Sequence, residues 1–75
     1  MSTGVMIQRA REAAGLTLDD VAEATKIRAS ILAAMEQDDF SHCGGHVYAR
    51  GQLRSIAAVV GLDPDDVMDS FDSGR

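Results

Sequence analysis

The residue types that could bind a metal or act as a nucleophile lie together in one short segment, His42-Cys43-Gly44-Gly45-His46. A tetrahedral zinc site needs four ligands, typically in two pairs, and this segment already uses both histidines and the single cysteine of the chain. A carboxylate such as Asp39 would have to complete the site. A Cys/His nucleophile would also need an oxyanion hole and a concave pocket, for which the sequence offers no candidate. We therefore predict a plain polar loop, without metal or cofactor, in a protein that is not an enzyme.

A second set of residues could contact DNA. Lys26 and Arg28 are the only cations between Leu16 and Glu36, and Ser30 follows them. Phosphates and base edges are contacted by long side chains that donate or accept hydrogen bonds. Lys26, Arg28 and Ser30 are accordingly the candidates for DNA contact. The alternative is that both cations are solvated surface charges beside acidic neighbours, and the sequence leaves both interpretations open.

The helix that follows Arg28 is expected to present few such groups to solvent. Its predicted outward positions are 28, 29, 30, 33 and 34, and three of these five residues are alanine. Alanine can touch a thymine methyl group but donates no hydrogen bond to a base or a phosphate. Leu18 also stands where repressor-type domains often place a glutamine that contacts the DNA backbone. These residues favour a fold of the DNA-binding type whose DNA-reading face lacks the side chains that contact bases and phosphates.

A third set could anchor a partner protein. Tyr48 is the only tyrosine of the chain and lies off the predicted buried stripe of its helix, so part of its ring should be exposed. Arg50 and Arg54 follow one turn apart. Tyrosine and arginine are favoured anchors in protein interfaces. The alternatives are a tyrosine at the rim of the core with its hydroxyl in water, and arginines that are solvated or paired with aspartates of the same domain.

The segment Leu16–Glu36 must position the DNA-contact candidates, and its pattern is that of a helix-turn-helix. Thr17 can cap the first helix, and Asp19 and Asp20 lie in its positive first turn. The apolar pattern breaks briefly at residues 25–27 and then resumes with a second apolar face. Two such short helices cannot bury themselves alone, so flanking helices are required.

The remaining pattern predicts those flanking helices. Gly15 should end the first helix with a left-handed conformation, while Asp63 and Pro64 should begin the last. Phe40 should plug the core from the loop. The expected fold is an all-α, compact five-helix bundle of the lambda-repressor-like type, in one domain spanning residues 1–75, with helices at about 5–14, 18–25, 28–36, 47–60 and 64–71.

Two details of these helices are also predicted. The inward side of the first helix is expected to include Val5, Met6, Arg9, Ala10 and Ala13. In the fourth helix, Leu53, Ile56, Ala57 and Val60 keep the spacing of a buried stripe. Gly51 lies in the middle of that helix, where glycine costs roughly 1 kcal/mol relative to alanine. We expect another helix to approach it closely.

Composition limits the function classes further. The net charge is -5, and nucleic-acid binders usually carry a basic face. The excess acid is mostly C-terminal, because residues 1–36 hold four basic and five acidic side chains, whereas residues 37–75 hold three and seven. One cysteine permits no intramolecular disulfide, which fits the cytoplasm. No apolar run approaches the roughly 20 residues of a membrane-spanning helix, and the N-terminus does not resemble a signal peptide.

Nearly the whole chain resembles one family. The segments AREAAGLTLDDVAEATKI, LAAME and VYARGQLRSIAAVVGLDPDDV are similar to the N-terminal cytoplasmic domain of RodZ-like bacterial proteins. The most specific part is Tyr48-Ala49-Arg50-Gly51 with Leu53-Arg54 and Gly61-Leu62 after it. Repressor-type helix-turn-helix domains share the first half of this pattern but not the second.

The resemblance implies a function that the residue pattern alone does not. It implies a membrane-anchored protein whose cytoplasmic domain docks onto the bacterial actin MreB and so links the cytoskeleton to cell shape. The spanning helix is absent from this sequence. The resemblance also implies an aromatic pair one turn apart that contacts the actin homologue, and the matching positions are Tyr48 and Gln52, the second of which is not aromatic here.

These observations together favour a cytoplasmic adaptor that acts by protein–protein docking, with an MreB-like actin or a cell-division protein as partner. The predicted interface residues are Tyr48, Arg50, Gln52 and Arg54. The alternative is a DNA-binding transcriptional regulator of the repressor type, which would use Lys26, Arg28 and Ser30.

Overall fold

The computed structural model describes residues 1–73, and capping side chains set where most of its helices begin. Ser2, Thr17 and Asp63 each accept a hydrogen bond from a backbone N–H in the first turn of the helix that follows. The prediction of an all-α fold is confirmed for these residues, which form α1 (Thr3–Ala13), α2 (Leu18–Thr25), α3 (Ala29–Glu36), α4 (His46–Val60) and α5 (Pro64–Asp72).

The first turn of α1 is fitted closely against the end of α3. The backbone N–H of Gly4 donates to Asp38 Oδ1 at 2.8 Å. A Cβ atom at Gly4 would lie 2.6 Å from the carbonyl oxygens of both Met35 and Glu36, so only glycine fits here. The buried Thr3 hydroxyl lies 2.8 Å from the Ser70 hydroxyl of α5, which joins the first helix to the last.

The side of α1 that faces the core differs from the predicted one. The helix begins at Thr3, two residues earlier than expected, and Ile7 is its most buried large side chain. Met6 and Ala10 pack against the core as predicted. The prediction is wrong for Arg9 and Ala13, which are exposed, because Thr3 and Gly4 set the rotation of the helix. Gly15 has φ +72°, as predicted for the residue after a helix end.

The helices α2 and α3 form the predicted helix-turn-helix. Thr17 and Asp20 make a reciprocal capping box, in which each side chain accepts a hydrogen bond from the backbone N–H of the other residue. The hydrogen bonds that Thr17 donates to the Asp20 carboxylate lower the pKa of that carboxyl. Lys26 ends α2 in the left-handed conformation, with φ 63°, which allows the sharp change of direction into α3. Val21 and Ile27 are buried on either side of this turn.

The predicted buried stripe of α4 is confirmed, and it is the centre of the core. Leu53, Ile56, Ala57 and Val60 are all buried, and so are Val67 and Met68 of α5. The expectation that another helix approaches Gly51 closely is wrong. A Cβ atom at Gly51 would meet no atom within 4 Å, and the residue is exposed. The close approach that requires a glycine occurs at Gly4.

The loop between α3 and α4 contributes to the core as well. Phe40 is half-buried, as predicted, and meets the ring of Phe71 edge-on with a centroid distance of 5.0 Å. His46 stacks on the same Phe71 ring at 4.8 Å. Cys43 is also buried, although the sequence placed it in a polar loop. Within residues 1–73, no helix has the length and apolar character needed to cross a membrane.

Candidate interaction surfaces

The face that would read DNA in a helix-turn-helix is small and weakly basic. Arg28 is the N-cap of α3 and is exposed, as are Lys26 and Ser30. The three predicted outward alanines are only half-buried, so they do form part of the surface. A shallow cavity of about 360 Å³ opens here, lined by Arg28, Ser30, Ile31, Ala34 and His42. The cavity therefore offers one arginine, one histidine and one serine hydroxyl beside apolar side chains, and Lys26 lies exposed on the same face outside the cavity.

The beginning of α4 exposes two large apolar side chains. Val47 is 79% exposed and Tyr48 is 68% exposed. They border a second shallow cavity, here called the α4 groove, of about 270 Å³. It lies between the α2–α3 turn and α4, and it is lined by Thr25, Ile27, Val47, Tyr48, Gly51, Gln52 and Ser55. Exposure of the Tyr48 ring is as the sequence predicted.

The loop before α4 ends in a glycine pair that lies beside the Tyr48 ring. Gly44 and Gly45 have φ values of +89° and +123°, a backbone conformation that other residues rarely adopt. Cβ atoms at these two positions would lie 3.8 and 3.9 Å from Tyr48 Cδ2. The ring thus lies beside the glycine pair at ordinary contact distance, and the positive φ values explain why glycine occupies these two positions.

Gln52 lies in the α4 groove with one end of its side chain unpaired. Its Oε1 atom is buried and accepts no hydrogen bond from any residue that the structure describes. A buried polar atom without a partner is destabilising by about 1–3 kcal/mol. The aromatic partner that the resemblance implies at this position is replaced by a hydrogen-bond acceptor.

The two arginines of the predicted interface have different surroundings. Arg50 forms an ion pair with Asp72 of α5, which is the intradomain pairing that the sequence left open as an alternative. Both side chains of this pair are partly exposed, so it contributes at most about 1 kcal/mol. Arg54 is exposed one turn further along α4. Neither arginine lines the α4 groove.

The three residues of the possible metal cluster, His42, Cys43 and His46, lie in different surroundings. His42 Nε2 lies 3.4 Å from Asp39 Oδ2 at the surface, whereas His46 is stacked on Phe71. Cys43 is buried, and this burial raises the pKa of its thiol. No group of three or more His, Cys, Asp or Glu side chains in residues 1–73 is placed to hold a metal ion.

One polar contact of the core was not predicted from the sequence. Arg11 of α1 forms a two-pronged ion pair with Glu36 of α3, with Nε–Oε2 and Nη2–Oε1 distances of 2.7 and 3.2 Å. Its Nη1 atom also donates to the Leu16 carbonyl oxygen at 3.0 Å. Only 14% of the arginine side chain and 8% of the glutamate side chain are exposed. The pair joins α1, α3 and the start of the helix-turn-helix.

Comparison with known proteins agrees with this architecture. A family model described as a helix-turn-helix domain matches residues 6–67. The cytoskeleton protein RodZ of Streptococcus pneumoniae is 39% identical over 71 residues, which are 95% of this chain and 26% of RodZ. The uncharacterized membrane protein YmfM of Bacillus subtilis is 35% identical over 54 residues, covering 72% of this chain and 19% of YmfM.

A solved structure resembles the fold over almost its whole length. It is that of YmfM from Staphylococcus aureus, described as a candidate DNA-binding membrane protein, and it has a TM-score of 0.87 and 25% identity. The similarity covers 97% of this chain and 89% of that one. The chain spans about a quarter of the RodZ relative and about a fifth of the Bacillus protein. The chain belongs to the helix-turn-helix domain family, and within it the chain is a RodZ-like domain.

Proposed function

We propose that this domain is the cytoplasmic adaptor part of a RodZ-like cell-shape protein, and that it docks onto an MreB-like actin or a cell-division protein through the start of α4. The observation that carries the proposal is the exposure of Val47 and Tyr48 beside the α4 groove. The lining of the groove contains no charged residue among those described. An exposed aromatic side chain next to an apolar cavity is typical of an interface anchor.

The energetics favour docking at this surface. A tyrosine that becomes buried on binding removes about 150–250 Å² from water, which sets an upper limit of several kcal/mol for its contribution. Interface anchors of this kind typically contribute 2 kcal/mol or more, which is about a 30-fold change in affinity. Arg54, which is exposed on α4 but does not line the groove, is available to pair with an acidic partner, whereas Arg50 would first have to leave Asp72.

DNA binding is the second candidate, and one observation favours it. The Staphylococcus YmfM relative is described as a candidate DNA-binding protein and shares this fold. In the present chain the corresponding face offers Lys26, Arg28 and Ser30, with His42 at the edge of the cavity. With so few cations, any binding would neutralise few phosphates and would show a small dependence on salt.

The cellular setting follows from the proposed adaptor role. The domain, predicted to span residues 1–75, of which 74 and 75 lie outside the described residues, would lie at the inner face of the cell membrane, held there by a segment outside this sequence. The relatives that this chain matches support the setting, because they carry the names of a cytoskeleton protein and of membrane proteins.

One experiment with two single variants distinguishes the candidates. Tyr48→Ala should weaken co-sedimentation of the chain with filaments of an MreB-type actin by about 30-fold or more. Arg28→Ala should leave that binding unchanged, which makes it the matched control. In the reciprocal assay, fluorescence anisotropy with duplex DNA at two salt concentrations, Arg28→Ala should reduce any binding and Tyr48→Ala should not. Equal filament binding by the wild type and Tyr48→Ala would refute docking through α4.

A further inference from the structure

The first turn of α4 has few interactions of its own that hold it in place. Gly45 is its N-cap, and no side chain in residues 1–73 makes a capping hydrogen bond to it. The turn also has no acidic residue that would complement the helix dipole. His46, Val47 and Tyr48 are all exposed, so the helix places no side chain in the core before Ala49. A helix end with neither a cap nor buried side chains is expected to fray.

The last turn of α5 supplies the contacts that this end of α4 lacks. Phe71 is stacked on His46, the first residue of α4, with a centroid distance of 4.8 Å and an interplanar angle of 21°. The same ring meets Phe40, which lies in the loop before α4, at 5.0 Å. Asp72 forms an ion pair with Arg50, one turn into α4. Two adjacent residues of α5 therefore hold both the loop before α4 and its first turn.

The proposed docking surface lies on this same turn. Val47 and Tyr48 directly follow His46, and their side chains keep fixed relative positions only while the turn is folded. The apparent affinity for a partner falls with the fraction of molecules in the conformation that binds. Phe71 and Asp72 do not line the α4 groove, and we expect them to affect docking through the position of this turn.

We infer that the last turn of α5 is a positioning element for the docking surface, in which Phe71 and Asp72 keep the first turn of α4 folded. Detachment of this turn from α4 releases Val47 and Tyr48 from the geometry in which they bind a partner. The inference rests on the proposed docking function and adds to it a means of control. Attachment of α5 and binding at the start of α4 are then coupled, so each stabilises the other.

Hydrogen exchange of the 75-residue chain tests the positioning role without a partner. The amide of Ala49 donates to the Gly45 carbonyl oxygen at 2.9 Å and reports opening of the first turn. The amide of Ile56, a buried residue in the middle of α4, reports opening of the core. Phe71→Leu keeps an apolar side chain but loses both aromatic contacts, so Ala49 should exchange up to roughly tenfold faster. Asp72→Asn removes the ion pair and should act in the same direction, less strongly.

Ser70→Ala is the matched control, because Ser70 lies in the same turn of α5 and its hydroxyl lies 2.8 Å from that of Thr3 in α1. This variant should speed the exchange of Ile56, since the whole domain is less stable. It should leave Ala49 unchanged, since the first turn of α4 opens without breaking that contact. Two outcomes would overturn the positioning role: faster exchange of Ile56 but not of Ala49 in Phe71→Leu, or equal changes at both amides in Ser70→Ala.

The consequence for docking is measured by co-sedimentation with filaments of an MreB-type actin, at a temperature where all variants are folded. The double variant Phe71→Leu/Asp72→Asn should bind about threefold more weakly or worse, because fewer chains have a folded first turn, and Ser70→Ala should bind as the wild type does. Unchanged binding by the double variant would refute control of docking by α5. If the wild-type chain does not bind, the docking proposal fails and its control fails with it, while hydrogen exchange still decides whether α5 holds the turn.

Discussion

The ion pair between Arg11 and Glu36 provides the most demanding test of how this domain is held together. Arg11→Met removes the guanidinium but keeps most of the apolar stem, so packing of α1 should change little. Glu36, which is 8% exposed, then loses its two arginine hydrogen bonds, and the Leu16 carbonyl oxygen loses its donor. In the wild type, the hydrogen bond to Glu36 raises the pKa of the Arg11 guanidinium.

The expected loss is large relative to the stability of the domain. Removing one partner of a buried ion pair typically costs about 3–5 kcal/mol, because the other charge is left buried and uncompensated. Typical domains have roughly 0.05–0.15 kcal/mol of stability per residue, which for a chain of this length is about 4–11 kcal/mol. We therefore expect Arg11→Met to remove between about a quarter and all of the free energy of unfolding.

The stability of each variant should depend on which charged side chain is left without its partner. Glu36→Leu should cost less than Arg11→Met, because Arg11 is the more exposed partner and can still donate to Leu16. The double variant should recover much of the loss caused by Arg11→Met, since apolar replacement of a whole buried pair is often neutral or stabilising. Urea unfolding followed by circular dichroism measures all four proteins, with constant m-values required. A loss below about 1 kcal/mol for Arg11→Met, or a double variant as unstable as Arg11→Met, would refute the reasoning.

Two further predictions concern the first and second helices. Gly4→Ala should lower the free energy of unfolding by about 1–3 kcal/mol or more, because the new Cβ would overlap the carbonyl oxygens of Met35 and Glu36. Gly51→Ala is the control in the same urea assay, because a Cβ atom at position 51 would meet no atom within 4 Å. Hydrogen bonds from Thr17 hold the pKa of the Asp20 carboxyl below its ordinary value. The stability that this carboxylate contributes is therefore fully present above the pKa of the unfolded chain, which is near 4. It is lost as the pH falls through the lower pKa of the folded state. Wild type and Asp20→Ala should therefore converge in stability as the pH falls below about 4, and a difference that persists unchanged at pH 2 would contradict this.

Local signals in the sequence were sufficient to predict that the helices form. Thr17 and Asp63 cap the helices that follow them because capping depends on residues only two or three positions apart. The buried stripe of α4 follows from a period that is visible in the sequence alone. Exposure of Tyr48 followed in the same way, because the ring lies off that stripe.

Contacts between distant residues account for what the sequence did not show. Nothing near Gly4 or Gly51 indicates which glycine faces a neighbouring backbone, because that depends on where α3 ends in space. The partner of Arg11 is 25 positions away, and the partner of Arg50 is 22 positions away, and each had several possible carboxylates. The α4 groove combines residues of the α2–α3 turn with residues of α4, so its lining was visible only after the helices were packed.

The hydrogen bond between Thr3 and Ser70 has a consequence for the order in which the domain is completed during synthesis. These residues are 67 positions apart, and the Thr3 hydroxyl is fully buried. At about 5–20 residues per second, a ribosome needs roughly 3–13 seconds to add the second residue after the first. Until then, the nascent first helix lacks both its hydroxyl partner and the α5 surface that covers it. The N-terminal helix therefore remains without these contacts while residues 4–70 are synthesised, an interval in which chaperones and proteases can reach α1.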